Sequence, residues 1–391
     1  MNYILSDGNY REHLLPFTFT RPVADIRIGI LTIREKWEQR LNCKTSTLTE
    51  NYLSVKFPLA VEAKNIVIVA SFLPSNSYVK ALKQLKDGEA LIFDGQVMAY
   101  ATAAPQKTFD LNDFKPIPFN EEIITVKNTW DIFSKNGEAL QTDYDFITKD
   151  RKSAPISDTN RVIASENIFL EEGAQVEYSI LNATDGPIYL GKDSLVMGGN
   201  MIRGALALCE KAVIKMGAKI YGATTIGPHG KVCGEINNSV IFGYSSKGHD
   251  GYLGNAVLGE WCNIGADSNN SNLKNNYAKV RIWNYATEKF DQTGLQFCGL
   301  MMGDHSKTAI NTMFNTGTVI GVNVNVYTPG FPRNFIPSFS WGGASGFSTY
   351  MPKKAFEAAK VMMARRGVEF DEVEADILNY VFEVSKKWRK Y

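Results

Sequence analysis

The sequence predicts a protein in two parts, an α/β domain and then a parallel β-solenoid with three-faced coils, closed by a helical tail. Three observations carry this: an aliphatic residue at every sixth position through the middle of the chain, alternating strand-like and helix-like segments before it, and amphipathic stretches after it. Counting in sixes from Leu190 meets Val196, Ile202, Leu208, Ile214, Ile220, Ile226 and Val232. The step returns as Leu170–Val176, Leu258–Ile264 and Phe314–Ile320–Val326.

A period of six suits neither an α-helix nor a simple alternating strand. It suits a coil with three flat faces, one hexapeptide each, with one large aliphatic side chain pointing inward from every face. Gly191, Gly227, Gly259, Gly265 and Gly321 follow such residues, so glycines and small residues are expected at the corners, where the backbone needs freedom. Coils of this kind stack about 4.8 Å apart through parallel ladders. The repeat runs from about 163 to 328, within a domain expected over 160–335. The rhythm fails over 273–305, where NYAKVRIWNY and GLQFCGLMM flank ATEKFDQT. A β-hairpin inserted between coils is expected there, and long insertions in solenoids commonly serve a binding face.

The flanks read differently. Over 1–152, the strand YIL at 3–5, a helix over 29–41, the buried run VIVA at 67–70 and a helix over 75–88 suggest an α/β domain. ALIF at 90–93 and QVMAYA at 96–101 pair as a hairpin across Asp94-Gly95. A polar linker is expected at 148–160. Two helices, broken at Gly367, fill 350–391.

At 391 residues two domains are the natural expectation. A formal net charge of +1 argues against nucleic acid or a membrane surface as a bulk partner, so an anionic ligand must be met by a local site. The five cysteines are odd in number and form no C-x-x-C pair, which reads as reduced thiols. The opening MNYILSDGNYREHLL has no basic segment and no long apolar run, so no signal peptide is expected. No apolar run approaches 18 residues. A cytoplasmic protein is the expectation.

Two segments are specific enough to name a family. HDGYLG at 249–254 and LGEWCNIGAD at 258–267 resemble H-x-x-Y-L-G…G-x-x-x-N-I-G-A-G. That is the acetyltransferase signature of the bifunctional N-acetylglucosamine-1-phosphate uridyltransferase/glucosamine-1-phosphate acetyltransferase family. Asn272 falls where that family has the asparagine of C-N-Y-D-G, and GDHSKTAINTMFNTGTVIG at 303–321 is similar to its next coils. The stretch SDGNYREHLLPFTFTRPVADIRIGILTIREKWE, with WDIFSKNGEAL at 130–140, resembles a divergent bacterial branch with a shortened nucleotidyltransferase-like domain.

The resemblance implies a left-handed β-helix of hexapeptide repeats, a Rossmann-like first domain, and a homotrimer with its active site between neighbouring helices. It implies acetyl transfer from acetyl-CoA to the amine of glucosamine-1-phosphate, and uridylyl transfer from UTP to the sugar-1-phosphate with Mg²⁺. An amine must be unprotonated to attack a thioester, and a histidine suits that proton transfer. By resemblance His249, in the glycine-rich KGHDGYLG, is the base. Tyr252 and Asn263 hold the sugar and its phosphate, and Asn272 orients the amine or the histidine. Lys274, with Lys247 and Lys279 nearby, is a candidate for the phosphate. The backbone of Ala266 meets the acetyl carbonyl, where an N–H would stabilise an oxyanion, and Ala309 lies in the coils that the cofactor passes.

For the first domain the family pattern is G-G-x-G-T-R-L-x-P-L-T…P-K, whose glycines cradle phosphates. The segment DGNYREHLLPFTFTRP keeps Gly8 and Pro16-Phe17-Thr18 but lacks two of the three glycines. His13 stands in the arginine's place with Arg11 close by, and Arg21-Pro22 answers to the basic residue and proline. The metal-binding aspartate has no clear counterpart; Asp94 is a candidate whose commoner role is the hairpin turn. Several readings stay open: both transfer activities, acetyl transfer with a first domain that binds nucleotide-sugar or scaffolds, or sugar-1-phosphate nucleotidyl transfer alone. A zinc lyase using His229, His249 and His305 is a further reading, but such a site needs two histidines five residues apart.

Overall fold

The hexapeptide spacing becomes three stacks of short parallel strands, seen in a computed structural model that describes residues 1–107 and 111–391. The first face holds six strands, from Arg161–Ile163 through Ile180–Asn182, Met201–Arg203, Lys219–Tyr221 and Glu235–Asn237 to Tyr252–Gly254. The second face holds nine, from Ile168–Leu170 to Phe335–Ile336. The third runs from Gln175–Val176 to Ser246–Lys247 and continues through single bridges at Asn263 to Lys307–Thr308. A left-handed β-helix fits this arrangement. Each face stacks like on like: Leu190, Leu208, Ile226, Ile241, Leu258, Met302, Ile320 and Ile336 occupy successive registers of the second. All of them lie in one continuous apolar core. Each such side chain contributes roughly 1.5–3 kcal/mol by leaving water.

The hexad count stops at Val232, yet the solenoid does not. Strands Val240–Ile241, Ser246–Lys247, Tyr252–Gly254 and Val257–Leu258 carry the three faces onward. The coils here are one to three residues shorter, so an exact step of six loses the register while the ladder keeps it. The insertion is also narrower than the sequence suggests. It opens where Leu273 bridges Phe297 and where Cys298 N–H donates to Asn272 O at 2.9 Å. Its hairpin pairs Arg281–Asn284 with Lys289–Gln292. Met301–Met302 is already a rung of the second face, between Val257–Leu258 and Val319–Ile320.

One corner departs from the expectation of glycines. Asp193, Lys211, His229, Tyr244, Trp261, His305, Asn323 and Phe339 occupy it in succession, all left-handed with φ between 54° and 61°, and none is glycine. Several are compensated by stacking on the rung above or below: His229 on Tyr244 at 4.7 Å, Tyr244 on Trp261 at 4.2 Å, and Trp261 on His305 at 6.3 Å. The coil spacing sets the ring spacing, and the ring contacts offset the backbone cost.

The chain packs as two units, one of Met1–Leu14, Thr18–Ile26 and Leu31–Asn128, the other of Leu15–Phe17, Arg27–Ile30 and Thr129–Tyr391. The first unit is α/β. Its strands are β1 (Asn2–Ser6), β2 (Ser46–Leu48), β3 (Asn65–Val69), β4 (Glu89–Phe93), β5 (Gln96–Thr102) and β6 (Lys115–Pro118), in the order β2-β1-β3-β5-β4-β6. The β1, β2 and β3 strands are parallel, β5 runs antiparallel to β3 and β4, and β6 is parallel to β4. Helix α1 (Ile33–Leu41) starts four residues later than the sequence reading, because Thr32 and Glu35 form a capping box. Helix α2 (Asn76–Gln84) is capped by Ser75.

The second unit adds α3 (Asp131–Ser134) and α4 (Asn136–Ile147) to the solenoid. Asn136 accepts from Gly29 N–H at 2.7 Å and donates to Ala223 O at 2.9 Å, while Thr225 donates to Gly29 O at 2.9 Å. The tail is α5 (Pro352–Ala364) and α6 (Glu372–Val384), separated at Gly367 with φ +70°. Among the described residues no helix is long and apolar enough to cross a membrane.

Ile226 is fully buried in the middle of the second face. Ile226→Ala should lower the unfolding free energy by about 2–5 kcal/mol through the cavity it leaves, measured as the shift of a urea denaturation curve.

Candidate active site

Residues 248–251 turn the corner between the third and first faces, after Ser246–Lys247 and before Tyr252–Gly254. His249 is exposed at that corner. Gly251 permits the turn: its φ is +112°, and a Cβ there would stand 2.2 Å from Ser268 O. Tyr252 begins the next strand, its N–H held by Asn269 Oδ1 at 2.7 Å. Its hydroxyl accepts from Asn272 Nδ2 at 2.9 Å, and the same amide donates to Asn255 Oδ1 at 2.7 Å. The fold therefore brings together Tyr252 and Asn272, twenty residues apart in sequence.

Asn263 lies exposed on the third face, bridging Ser246 in one coil and Lys307 in the other. Ala266 O accepts from Asn311 N–H at 2.8 Å, and Ala309 N–H is committed to Val326 O at 2.7 Å. Gly265 sits so close to the Ala309 backbone that a Cβ would come within 2.3 Å of its carbonyl oxygen. Lys274 donates to Lys279 O at 3.2 Å, within the loop that leads to the hairpin. His229 and His305 belong to the stacked corner, with Tyr244 and Trp261 between them, and His249 sits at another corner. Among the described residues no group of three or more His, Cys, Asp or Glu side chains is placed to hold a metal ion.

Lys247 corrects the sequence reading. Considered there as a phosphate contact, it is only 1% exposed and occupies the inward register of the third face after Val232. Its ammonium donates to His249 O at 2.6 Å and to Asp250 O at 3.1 Å. Burial pulls its pKa down to about 8, against smaller upward pulls from Cys233, Asp250 and Asp267. Lys215, two coils earlier, donates to Gly248 O at 2.9 Å. Neither this role of Lys215 nor those of Asn255, Asn269 and Asn270 was found from sequence. Asn270 replaces ladder partners, pairing with both N–H and C=O of Gly254 at 2.9 Å. A charged residue on an inward register was the one available signal, and the shortened coils concealed it.

In the first unit Gly8 has φ +57°, and a Cβ there would stand 2.6 Å from Val69 Cγ1, so its glycine is a packing requirement. The Arg11 guanidinium is taken up by the chain itself. It pairs with Asp7 at 3.2 Å, donates to Arg21 O at 3.3 Å, to Tyr52 OH at 2.7 Å, and to Thr18 O. Asp7 also accepts from Val23 N–H at 2.7 Å and from the Thr49 hydroxyl. Burial raises the Asp7 pKa despite Arg11 and these hydrogen bonds. Arg21 is itself buried, at 5% exposure. Asp94 is exposed in the β4–β5 turn with φ +48°.

Comparison with known proteins finds likeness to sugar nucleotidyl transferases and to bifunctional GlmU proteins, each over part of the chain. Residues 3–152 match the family described as sugar nucleotidyl transferase. The chain is 29% identical over 89 residues to the bifunctional protein GlmU of Methanocaldococcus jannaschii, covering 23% of this chain and 21% of that protein. It is 33% identical over 89 residues to the same-named protein of Methanococcus aeolicus, with the same coverage. The match thus spans about a fifth of the length of these curated relatives. Among solved structures, UDP-N-acetylglucosamine acyltransferase of Francisella novicida aligns with 59% of this chain and 87% of that chain, at 11% identity and TM-score 0.29. The Arabidopsis enzyme aligns with 55% and 80%, at 15% identity and TM-score 0.25. Likeness at that level says nothing about substrate.

The buried Lys247 makes stability depend on pH in a stated direction. Its folded pKa of about 8 lies below the ordinary 10.5, so between these values the unfolded chain holds a proton that the folded chain has released. Stability from this group therefore rises with pH across that window. From pH 8 to 10, wild type should gain about 2 kcal/mol relative to Lys247→Met, measured by urea denaturation at both pH values.

Proposed function

We propose that the solenoid catalyses acetyl transfer from acetyl-CoA to the amine of an amino-sugar-1-phosphate, glucosamine-1-phosphate in the first instance. The observation that carries this reading is the exposed His249 at a corner that leads directly into Tyr252, itself bonded to Asn272, in the order of the acetyltransferase signature. The amine lone pair attacks the thioester carbonyl, and the C–S bond breaks as the amide C–N bond forms. His249 takes the proton that the amine loses and returns it to the departing thiolate. Tyr252, Asn272 and Asn263 hold the sugar phosphate, and a backbone N–H near Ala266 faces the developing oxyanion. Ala309, beside Gly265, lines the path of the cofactor, and Lys274 lies on the phosphate side.

The first unit handles the nucleotide-sugar in this reading. The match of residues 3–152 to sugar nucleotidyl transferases supports it, with Gly8, Arg11 and Arg21 on the loop after β1. The enclosure of Arg11 by Asp7, Thr18, Arg21 and Tyr52 counts against its meeting the phosphates of UTP for uridylyl transfer, so any binding falls to other groups of the loop. Among the described residues of that unit no group of three or more His, Cys, Asp or Glu side chains is placed to hold a metal ion. A homotrimer in the cytoplasm completes the proposal. Ile180 and Met201, neighbours on the first face, are 41% and 59% exposed, an apolar strip that a second copy would cover.

His249→Ala should reduce acetyl transfer by about 10²–10⁴-fold, the usual loss with a general base, and leave circular dichroism unchanged because the side chain is exposed. Full activity in the variant would show that another group is the base. Absence of thiol release from wild type with every amino-sugar phosphate would remove the acetyltransferase reading itself. Light scattering at micromolar concentration should give a trimer mass, and a monomer would refute the assembly.

A further inference from the structure

Three consecutive carbonyls, those of Gly248, His249 and Asp250, each receive a lysine ammonium. Lys215 reaches the first at 2.9 Å, from outside the coil. Lys247 reaches the second at 2.6 Å and the third at 3.1 Å, from the inward side. We propose that Lys215 and Lys247 form a clamp on this corner and are positioning residues for the His249 imidazole. This rests on the reading of His249 as the base and adds to it the parts that hold that base still.

The argument is one of cost and reach. A lysine on an inward register displaces an aliphatic side chain and loses hydration, which a protein tolerates only where the charge is met. Here Lys247 follows Val232 in the column and, with Leu253, Ile264 and Phe314, lines a cavity of about 10 Å³, room for about one water molecule. The carbonyls that meet its charge belong to one segment, and that segment carries His249. The corner is otherwise lightly tied: Asp267 N–H donates to Asp250 O at 3.1 Å and Glu235 N–H to Gly251 O at 3.2 Å, with Gly248 and Gly251 flanking. Two glycines make a flexible turn, and a histidine on such a turn needs its backbone fixed to present one ring orientation. The charged groups that face Lys247 are Asp250 and Asp267, with Cys233 on the preceding coil. Lys215 adds a second positive charge one residue along the same turn.

The test separates holding from chemistry. Full-length wild type, Lys247→Met, Lys215→Met, Lys215→Arg and His249→Ala are compared in two measurements. The first is hydrogen exchange at the amides of Glu235, Tyr252 and Asp267, which are bonded to this corner or to its Asn269 neighbour. The second is kcat and KM for thiol release from acetyl-CoA with glucosamine-1-phosphate. Methionine suits the apolar column at 247, and Lys215 is half-buried outside the core, so at least the second variant retains the fold. Both Met variants should exchange at least tenfold faster at these amides. Their kcat should fall by up to about 10²-fold, as for a misplaced catalytic group, with KM changed far less. Lys215→Arg should restore both, and His249→Ala should lose kcat with exchange unchanged. The kcat of wild type should also fall as pH rises through about 8, where Lys247 loses its charge, and this limb should be missing in Lys247→Met. Unchanged exchange in both Met variants would overturn the clamp, and faster exchange with wild-type kcat would overturn its positioning role. Wild type without thiol release would remove the role together with the base, while the exchange data would still report whether the corner is held.

Discussion

Each coil of the solenoid must send one side chain inward from every face, directly onto the side chains of the coils above and below. That stacking constraint decides the rest of the solenoid. It fixes the columns of Leu, Ile and Val on three faces and leaves polar side chains to the outward positions and the corners. A corner residue has its backbone held by two neighbouring coils, while its side chain leaves the core. His249 and the column from Asp193 to Phe339 both occupy such positions, with different outcomes. One column stacks its rings into a continuous support; the other corner opens into a glycine-rich turn.

Where the constraint is broken, the break has a partner. Lys247 stands in an inward register, and its ammonium is met by the carbonyls of the turn beside it. Asn270 stands where the ladder would continue through backbone groups, and its amide supplies both a donor and an acceptor to Gly254. Asn272 reaches sideways to join Asn255 and Tyr252. Each of these polar side chains lies on the coil of the His249 corner or on the next one. The irregular chemistry of the coil is thus concentrated where the signature motif lies, and the regular coils on either side hold it in place.

The first unit obeys a different logic. Its loop after β1 is organised around an enclosed ion pair, Asp7 with Arg11, whose remaining hydrogen bonds go to the carbonyls and hydroxyls of the same unit. A loop built this way is rigid before any ligand arrives. It also spends on its own backbone the guanidinium that the sequence pattern offered to a nucleotide phosphate, so the chemistry of that loop differs from what the linear motif suggests.

The sequence by itself determined the solenoid, because a period of six survives in the linear order of residues and needs no knowledge of neighbours. It also determined the His249 corner, since the histidine, the tyrosine and the asparagine of N-I-G-A stand at fixed spacings along one chain. It located the β4–β5 hairpin through Asp94-Gly95 and the tail break at Gly367, both local preferences of the backbone. Only the tertiary structure decided how the coils run on past Val232, because a ladder tolerates coils shortened by one to three residues and a fixed count does not. Only it decided that Lys247 points inward, that Lys215 meets Gly248 across 33 residues, and that Tyr252 meets Asn272 across twenty. Those contacts depend on which coil lies above which, and the distance between two residues along the chain does not record that.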